Sequence, residues 1–390
     1  MNPTQPTICV ALPEGAGVAS ALWRSEAARP APQRIQCADD SLSADAAYRL
    51  IAQGSALLWR GDYHNARQLL QALARRIDRR TQRRGQVVQP HTDSAALAQA
   101  FARQRQAQAQ RAQMLGAVLV VLDEHHRMDL RRAPDVHAAC SQAWGSASAS
   151  GPALVALREL QGVIGAYEWR RKGLPVAALG QSIYPHYGVF SPVRGEYLDL
   201  VAQTPLPALD SAFDIGTGTG VLAALLARRG VRHVVATDIE PRAVACAQDN
   251  IARLGLQQQV QVLQADMFAP GRASLVLCNP PWVPAAAHAP LERAVYDQDS
   301  QMLRAYLTGL PQHLSAGGQG WLILSDLAEH LGLRTEQQLL QWISQARLQV
   351  LGRHSVRARH PKVADTSDPL HKARAQERTW LWRLGVKDAL

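Results

Sequence analysis

With 390 residues, 47% of them hydrophobic, and a formal net charge of +10, the chain can bury the cores of two ordinary domains and is not a disordered polycation. The basic excess points to an acidic partner, nucleic acid first among them, or to a solvated basic surface and nothing more. Cys9, Cys37, Cys140, Cys246 and Cys278 form no Cys-x-x-Cys pair, and His125-His126 reads as a surface pair without zinc-ligand spacing, so a disulfide framework and a metal site are both disfavoured.

Residues 1–40 are rich in Ala, Pro and polar side chains, show no clear periodicity, and read as partly ordered at best. From Ala46 to Ile77 apolar residues recur at helical spacing, with Gly61-Asp62 splitting the stretch into two helices. Arg75, Arg76, Arg79, Arg80, Arg83 and Arg84 form a dense basic run, and Ala95 to Gln113 predicts a further helix, polar on most sides. Such a region can follow a phosphate backbone or form a solvated face. The longest strongly apolar run, near Met114–Leu122, is far short of the roughly 20 residues a membrane span needs. No basic-then-apolar leader is read at the start, so the expected setting is cytoplasmic, with no membrane partner. Ser146 to Pro152 reads as a linker. The expected division is a mainly helical, Arg-rich accessory or substrate-recognition region over 1–150 and a second domain over 151–390.

Past a short helix (Ala153–Leu160) and a small hairpin turning at Lys172-Gly173, strand-like and helical runs alternate, the pattern of an α/β doubly wound sheet. The strands are placed at Ala212–Ile215, His233–Thr237, Val260–Gln264, Leu275–Cys278, Gly320–Leu324, Gln349–His354 and Thr379–Leu384. Helices are placed at Gly220–Arg229, Pro241–Leu254 and Glu336–Ala346, with Pro241 suited to a first helical position. The last strand follows a long loop and is expected to be antiparallel.

Gly216, Gly218 and Gly220 follow a short apolar strand and open a helix, where a backbone free of Cβ atoms can turn sharply against a ligand. The spacing is Gly-x-Gly-x-Gly. Val221 breaks the dinucleotide pattern Gly-x-Gly-x-x-Gly, which favours S-adenosylmethionine (SAM) over NAD. Asp238 ends the second strand, where a carboxylate can accept both ribose hydroxyls; it can also serve as a capping acid before Pro241. Asp266 ends the third, positioned for an adenine amino group with Met267 or Phe268 against the ring, or else as a solvated turn. Asp214 is assigned to the methionine ammonium, directly or through water, or to orienting the loop.

The fourth strand runs into Asn279-Pro280-Pro281-Trp282. The Asn279 side-chain oxygen and the Pro280 carbonyl can accept the two N–H groups of a planar amino group, holding its nitrogen toward a sulfonium methyl. Trp282 offers a flat stacking face. A Pro-rich turn over a buried Trp would read the same way in isolation. Its position after two acid-tipped strands makes it a clamp for methyl transfer to nitrogen, needing no metal.

These residues resemble class I SAM-dependent methyltransferases of the Asn-Pro-Pro-aromatic type, most closely the release-factor glutamine methyltransferase (HemK-like) family, over residues 163–390. The likeness includes Phe190 to Glu196 with Val193 inserted between proline and arginine, Asp214 to Gly220, Asp238 with Asn250, Asp266 to Phe268, Asn279 to Pro284, and Ser315 to Gly318. It implies a seven-stranded sheet of order 3-2-1-4-5-7-6 and SAM as methyl donor. The implied acceptor is macromolecular. A protein glutamine amide is favoured by Val283-Pro284 and by the lead-in segment Phe190 to Glu196. An exocyclic amine of an RNA or DNA base is favoured by the basic N-terminal region and by Arg357, Arg359, Lys362, Lys372 and Arg374, and would have to be flipped out of a duplex. A non-catalytic SAM-binding protein is a third reading, which intact Asn279 and Asp238 disfavour.

Overall fold

A computed structural model describes residues 8–85, 94–146, 151–192, 195–287, 289–359, 363–366 and 368–387. Val193, Arg194, Lys362 and the linker residues 147–150 lie outside these, as do the side chains of Arg83 and Arg84. The chain divides into two compact units, Met1–Pro90 with Ala102–Glu168, and His91–Phe101 with Trp169–Leu390.

The first unit contains strands β1 (Cys9–Ala11), β2 (Ser20–Arg24) and β3 (Ile35–Ala38), helix α1 (Ala44–Ala52), β4 (Ala56–Trp59) and the long α2 (Tyr63–Gly85). Then come α3 (Ser94–Leu115), whose first residues belong to the second unit, β5 (Val118–Leu122), α4 (His137–Trp144), β6 (Ala153–Ala156) and most of α5 (Leu157–Lys172). Helices hold more of its residues than strands do, but they flank a six-stranded sheet of order β1-β2-β6-β5-β4-β3 that the sequence pattern does not disclose.

Several local expectations are corrected. Residues 8–40 contribute strands. Ala56–Trp59, read as helix, is a strand buried on both faces, where four consecutive apolar residues carry no period to tell the two apart. The helix expected at Ala153–Leu160 is a strand followed by the start of α5, which continues to Lys172 and takes up the first arm of the hairpin expected to turn at Lys172-Gly173. His126 is buried at 7% exposure, with its ring against Trp144 and His137, and is not half of a surface pair.

In the second unit a small hairpin, β7 (Leu174–Val176) with β8 (Gln181–Ile183), precedes α6 (Glu196–Gln203). The alternation then unfolds as β9 (Ser211–Ile215), α7 (Val221–Arg228), β10 (His233–Asp238), α8 (Pro241–Arg253), β11 (Val260–Gln264) and β12 (Ala273–Cys278). It continues with α9 (Gln301–His313), β13 (Leu314–Ser325), α10 (Leu327–His330), α11 (Glu336–Gln345), β14 (Leu348–Arg357), the short α12 (His371–Gln376) and β15 (Arg378–Val386). Pro241 stands at the start of α8, and Thr335 with Gln338 closes a capping box on α11.

The sheet order is β11-β10-β9-β12-β13-β15-β14, which is 3-2-1-4-5-7-6 within this unit. The first five strands run parallel, and β15 inserts antiparallel to both β13 and β14. All of β12 and nearly all of β9 are buried, as a sheet covered on both faces requires. One apolar layer packs α6, α7 and α8 on the sheet, and the other packs α9 and α11. The sheet order reverses between β9 and β12, so their carboxyl ends flank the crevice where open α/β sheets place ligands. No helix among the described residues is long and apolar enough to cross a membrane.

Candidate active site

The loop after β9 turns through Gly216, Gly218 and Gly220, all with positive φ, before α7 begins. Gly220 shows why no side chain fits: at φ +80° an added Cβ would also stand 3.2 Å from Cα of Ala247 on α8. The loop is pinned to the neighbouring strand. The Thr217 N–H donates to the Thr237 carbonyl at 2.8 Å, and the Gly218 N–H donates to Asp238 Oδ2 at 2.9 Å. Asp238 Oδ1 accepts from the Glu240 N–H at 3.0 Å. Both oxygens of Asp238 therefore already serve the backbone, and each keeps lone pairs for a ligand. Burial raises the Asp238 pKa above the ordinary carboxylate value, against the pull of these N–H donors.

Asp214 is wholly buried in β9. Its Oδ2 accepts from the Thr217 hydroxyl at 2.6 Å and the Ala223 N–H at 3.0 Å, while Oδ1 is buried without a partner. Burial drives its pKa up to about 6, opposed by those two donors and reinforced by Asp238. Glu196, at the start of α6, is 5% exposed and its Oε1 likewise has no partner. Both carboxylates act on the Tyr197 hydroxyl, which places them in one neighbourhood. Glu196 falls in the lead-in segment, but nothing in its local sequence announces a buried, unsatisfied acid.

Beyond β11, Asp266 is exposed and Met267 sits at φ +67°, with its carbonyl accepting from the Thr237 hydroxyl. This bond ties the ends of β10 and β11 together. Phe268 stacks on His313 at 4.1 Å between ring centroids and lies parallel to Tyr306, so its ring is engaged by α9. Met267 is the apolar side chain of the pair without such an engagement, although it too touches the α9 layer.

Asn279 follows the last residue of β12. The Trp282 indole N–H donates to Asn279 Oδ1 at 2.8 Å. Indole is a donor only, so this bond identifies the oxygen of the carboxamide and fixes its rotation. The oxygen retains a second acceptor position. Pro280 is buried, and Trp282 is half-buried where three apolar clusters meet. The chain returns through a bridge between Val283 and Tyr296 to Asp297, whose carboxylate accepts the Met302 and Leu303 N–H groups at the start of α9. Phe101, from the segment of α3 that belongs to this unit, is buried with Val283, and its ring lies 6.4 Å from that of Tyr296. Neither Asp297 nor Phe101 carries a local signal, because each earns its place through tertiary contact. In the basic loop, Arg374 is paired with Asp368 at 2.8 Å, so it is not a free cation.

Residues 181–342 match the methyltransferase small domain. A release factor glutamine methyltransferase of Cereibacter sphaeroides is 34% identical over 140 residues, covering 32% of this chain and 50% of that protein. A ribosomal RNA small subunit methyltransferase C of Alcanivorax borkumensis is 30% identical over 184 residues, covering 45% of this chain and 49% of that protein. A solved methyltransferase from Pyrococcus furiosus aligns with a TM-score of 0.41 at 17% identity, covering 57% of this chain and 98% of its own. The chain spans about half the length of the curated relatives it matches.

Proposed function

We propose that the protein, whose residues 181–342 match the methyltransferase small domain, transfers a methyl group from SAM to the nitrogen of a planar amide or amine, with a protein glutamine side chain as the acceptor. The observation that carries this reading is Asn279 at the tip of β12, its oxygen oriented by Trp282 beside the pinned glycine loop.

The residues fit the cofactor. Two buried carboxylate oxygens without partners, on Asp214 and Glu196, suit an ammonium group. Asp238 offers charged acceptors to vicinal hydroxyls. SAM supplies an activated methyl on a sulfonium. Asn279 Oδ1 and the Pro280 carbonyl accept the two N–H bonds of the incoming nitrogen and aim its lone pair, while Trp282 covers its flat face. The gain comes from orientation and preorganised dipoles. The glutamine acceptor is supported by the Cereibacter relative and by the run Asn279 to Pro284. A second reading, the exocyclic amine of a nucleic-acid base, is supported by the Alcanivorax relative.

Labelling separates the two. Extract from cells lacking the gene, incubated with the protein and methyl-tritiated SAM, is expected to yield macromolecular label released by protease. Label released by RNase or DNase moves the acceptor to a base, and no macromolecular label at all overturns the methyl-transfer reading.

The position of Asp214 also sets a pH dependence. With a pKa of about 6, its carboxyl is protonated below that pH and charged above it. A cationic ammonium favours the charged form, so SAM affinity rises as pH increases through about 6 and is lost as pH falls through it. Calorimetric titration of SAM from about pH 5 to about pH 7.5 is expected to trace this rise, and Asp214→Asn to flatten it. An equal rise in the variant would remove Asp214 from the ammonium.

A further inference from the structure

The first unit contains a cavity of about 650 Å³ between α2 and α5, within the size range of small-molecule sites. One face of α2 lines it through Tyr63, His64, Arg67, Leu70, Gln71 and Ala74, positions that recur at helical spacing. Arg158, Gln161, Ile164 and Gly165 face it from α5, Arg111 and Leu115 from the end of α3, and Arg132 from the loop after β5. The lining includes arginines from four segments of the chain and no carboxylate.

The arginines are of two kinds. Arg111 is held in a bidentate pair by Asp78 at 2.7 and 3.1 Å, and Arg132 is held by the buried Asp62 at 2.6 Å, so acids outside the lining fix these guanidinium groups in place. Arg67 and Arg158 have no acidic partner among the described residues. Desolvation, and then the like charges of Arg111 and Arg29, lower the Arg158 pKa below its ordinary value, a cost an arriving anion would relieve. Leu70, Ala74, Leu115 and Ile164 supply an apolar floor, and the buried Tyr63 stands against His64 at one side. Beyond the cavity, exposed Arg75 and Arg79 continue the positive charge along α2.

We propose that this cleft binds a nucleotide, with its phosphate on Arg67 and Arg158 and its base on the apolar floor. Fork-shaped guanidinium groups suit phosphate oxygens, an acid-free lining repels cations, and the floor needs a ligand with a flat apolar body. The same chemistry arrives either as a free nucleotide or as one unit of a single RNA strand. The site lies wholly in the first unit and does not depend on the methyl acceptor.

The test is fluorescence anisotropy of the full chain with an end-labelled single-stranded RNA of about ten nucleotides, over a range of salt concentrations. Arg67→Ala with Arg158→Ala is expected to weaken binding at least about tenfold and to reduce the salt slope by about 1.4, as loss of two phosphate contacts requires. Gly165→Phe leaves every charge in place. Because an added Cβ at Gly165 meets nothing within 4 Å, the new ring has room to fill the cleft and should block binding as well. Thermal melts check that each variant folds. Competition by AMP identifies the free nucleotide as the source, and RNA binding that AMP does not disturb, yet both variants lose, identifies the strand. Unchanged RNA affinity in Gly165→Phe overturns the proposal, because the arginines would then act only as surface charge. Tighter binding of poly-glutamate than of RNA overturns it in favour of an acidic protein partner.

Discussion

Replacing Asn279 with alanine should lower methyl transfer by about 10²–10³-fold, near 3–4 kcal/mol of transition-state stabilisation, while SAM affinity stays at the wild-type value. The magnitude follows from what the side chain is placed to do. Its oxygen is held by the Trp282 N–H at 2.8 Å, so its remaining acceptor position is aimed before any substrate arrives. A water molecule in the space left by alanine can accept a hydrogen bond but is not held in that direction. The proposed cofactor contacts lie on other elements, Asp214 on β9, Glu196 on α6 and Asp238 on β10, so binding and turnover should separate cleanly. Trp282→Phe refines the test. Phenyl keeps a stacking face and the packing against three apolar clusters but releases the carboxamide, so a smaller loss in turnover is expected. Turnover that survives in Asn279→Ala would mean the clamp lies elsewhere. Turnover and SAM affinity falling together would mean that Asn279 shapes the cofactor site.

The second unit is far more legible in the sequence than the first, for a physical reason. Ala273–Cys278 and Ser211–Ile215 are short apolar runs bounded by Gly, Asp, Pro and Asn, separated by helices whose apolar residues recur at the right period, so run length and punctuation identify the elements. In the first unit Ala56–Trp59 continues the apolar pattern of α1, with only Gln53-Gly54-Ser55 between them, and three-residue β1 is too short to show any alternation. Within the site, the residues at strand tips could be read from position. Their bonding could not: that the Asn279 oxygen faces Trp282, that Phe268 is taken up by His313 and Tyr306, and that Glu196 is buried with an oxygen unsatisfied all depend on contacts between segments distant in sequence. The site retains strain as well. Asp299 and Ser300, neither of them glycine, sit consecutively at φ +56° and +53° where the return from the clamp enters α9.

Asp238→Ala should raise the SAM dissociation constant by about 10–100-fold, with turnover at saturating SAM within a few-fold of wild type. One charge-assisted hydrogen bond to a ligand, at about 1.5–3 kcal/mol, sets this range. A second loss adds to it: Oδ2 receives the Gly218 N–H at 2.9 Å, so alanine also releases the glycine loop. Folding stability should move little. Burial raises the pKa of Asp238 in the folded chain, so at neutral pH its charge opposes folding, and the substitution relieves that cost while giving up two backbone N–H bonds. Opposing contributions of this kind leave the unfolding midpoint within a few degrees, which separates lost affinity from lost structure. Asp238→Asn keeps an acceptor without the charge and should fall between alanine and wild type. Calorimetric titration of SAM into the three proteins decides the matter. An alanine variant that binds SAM as tightly as wild type would make Asp238 a loop-pinning residue alone and leave the ribose without an acid.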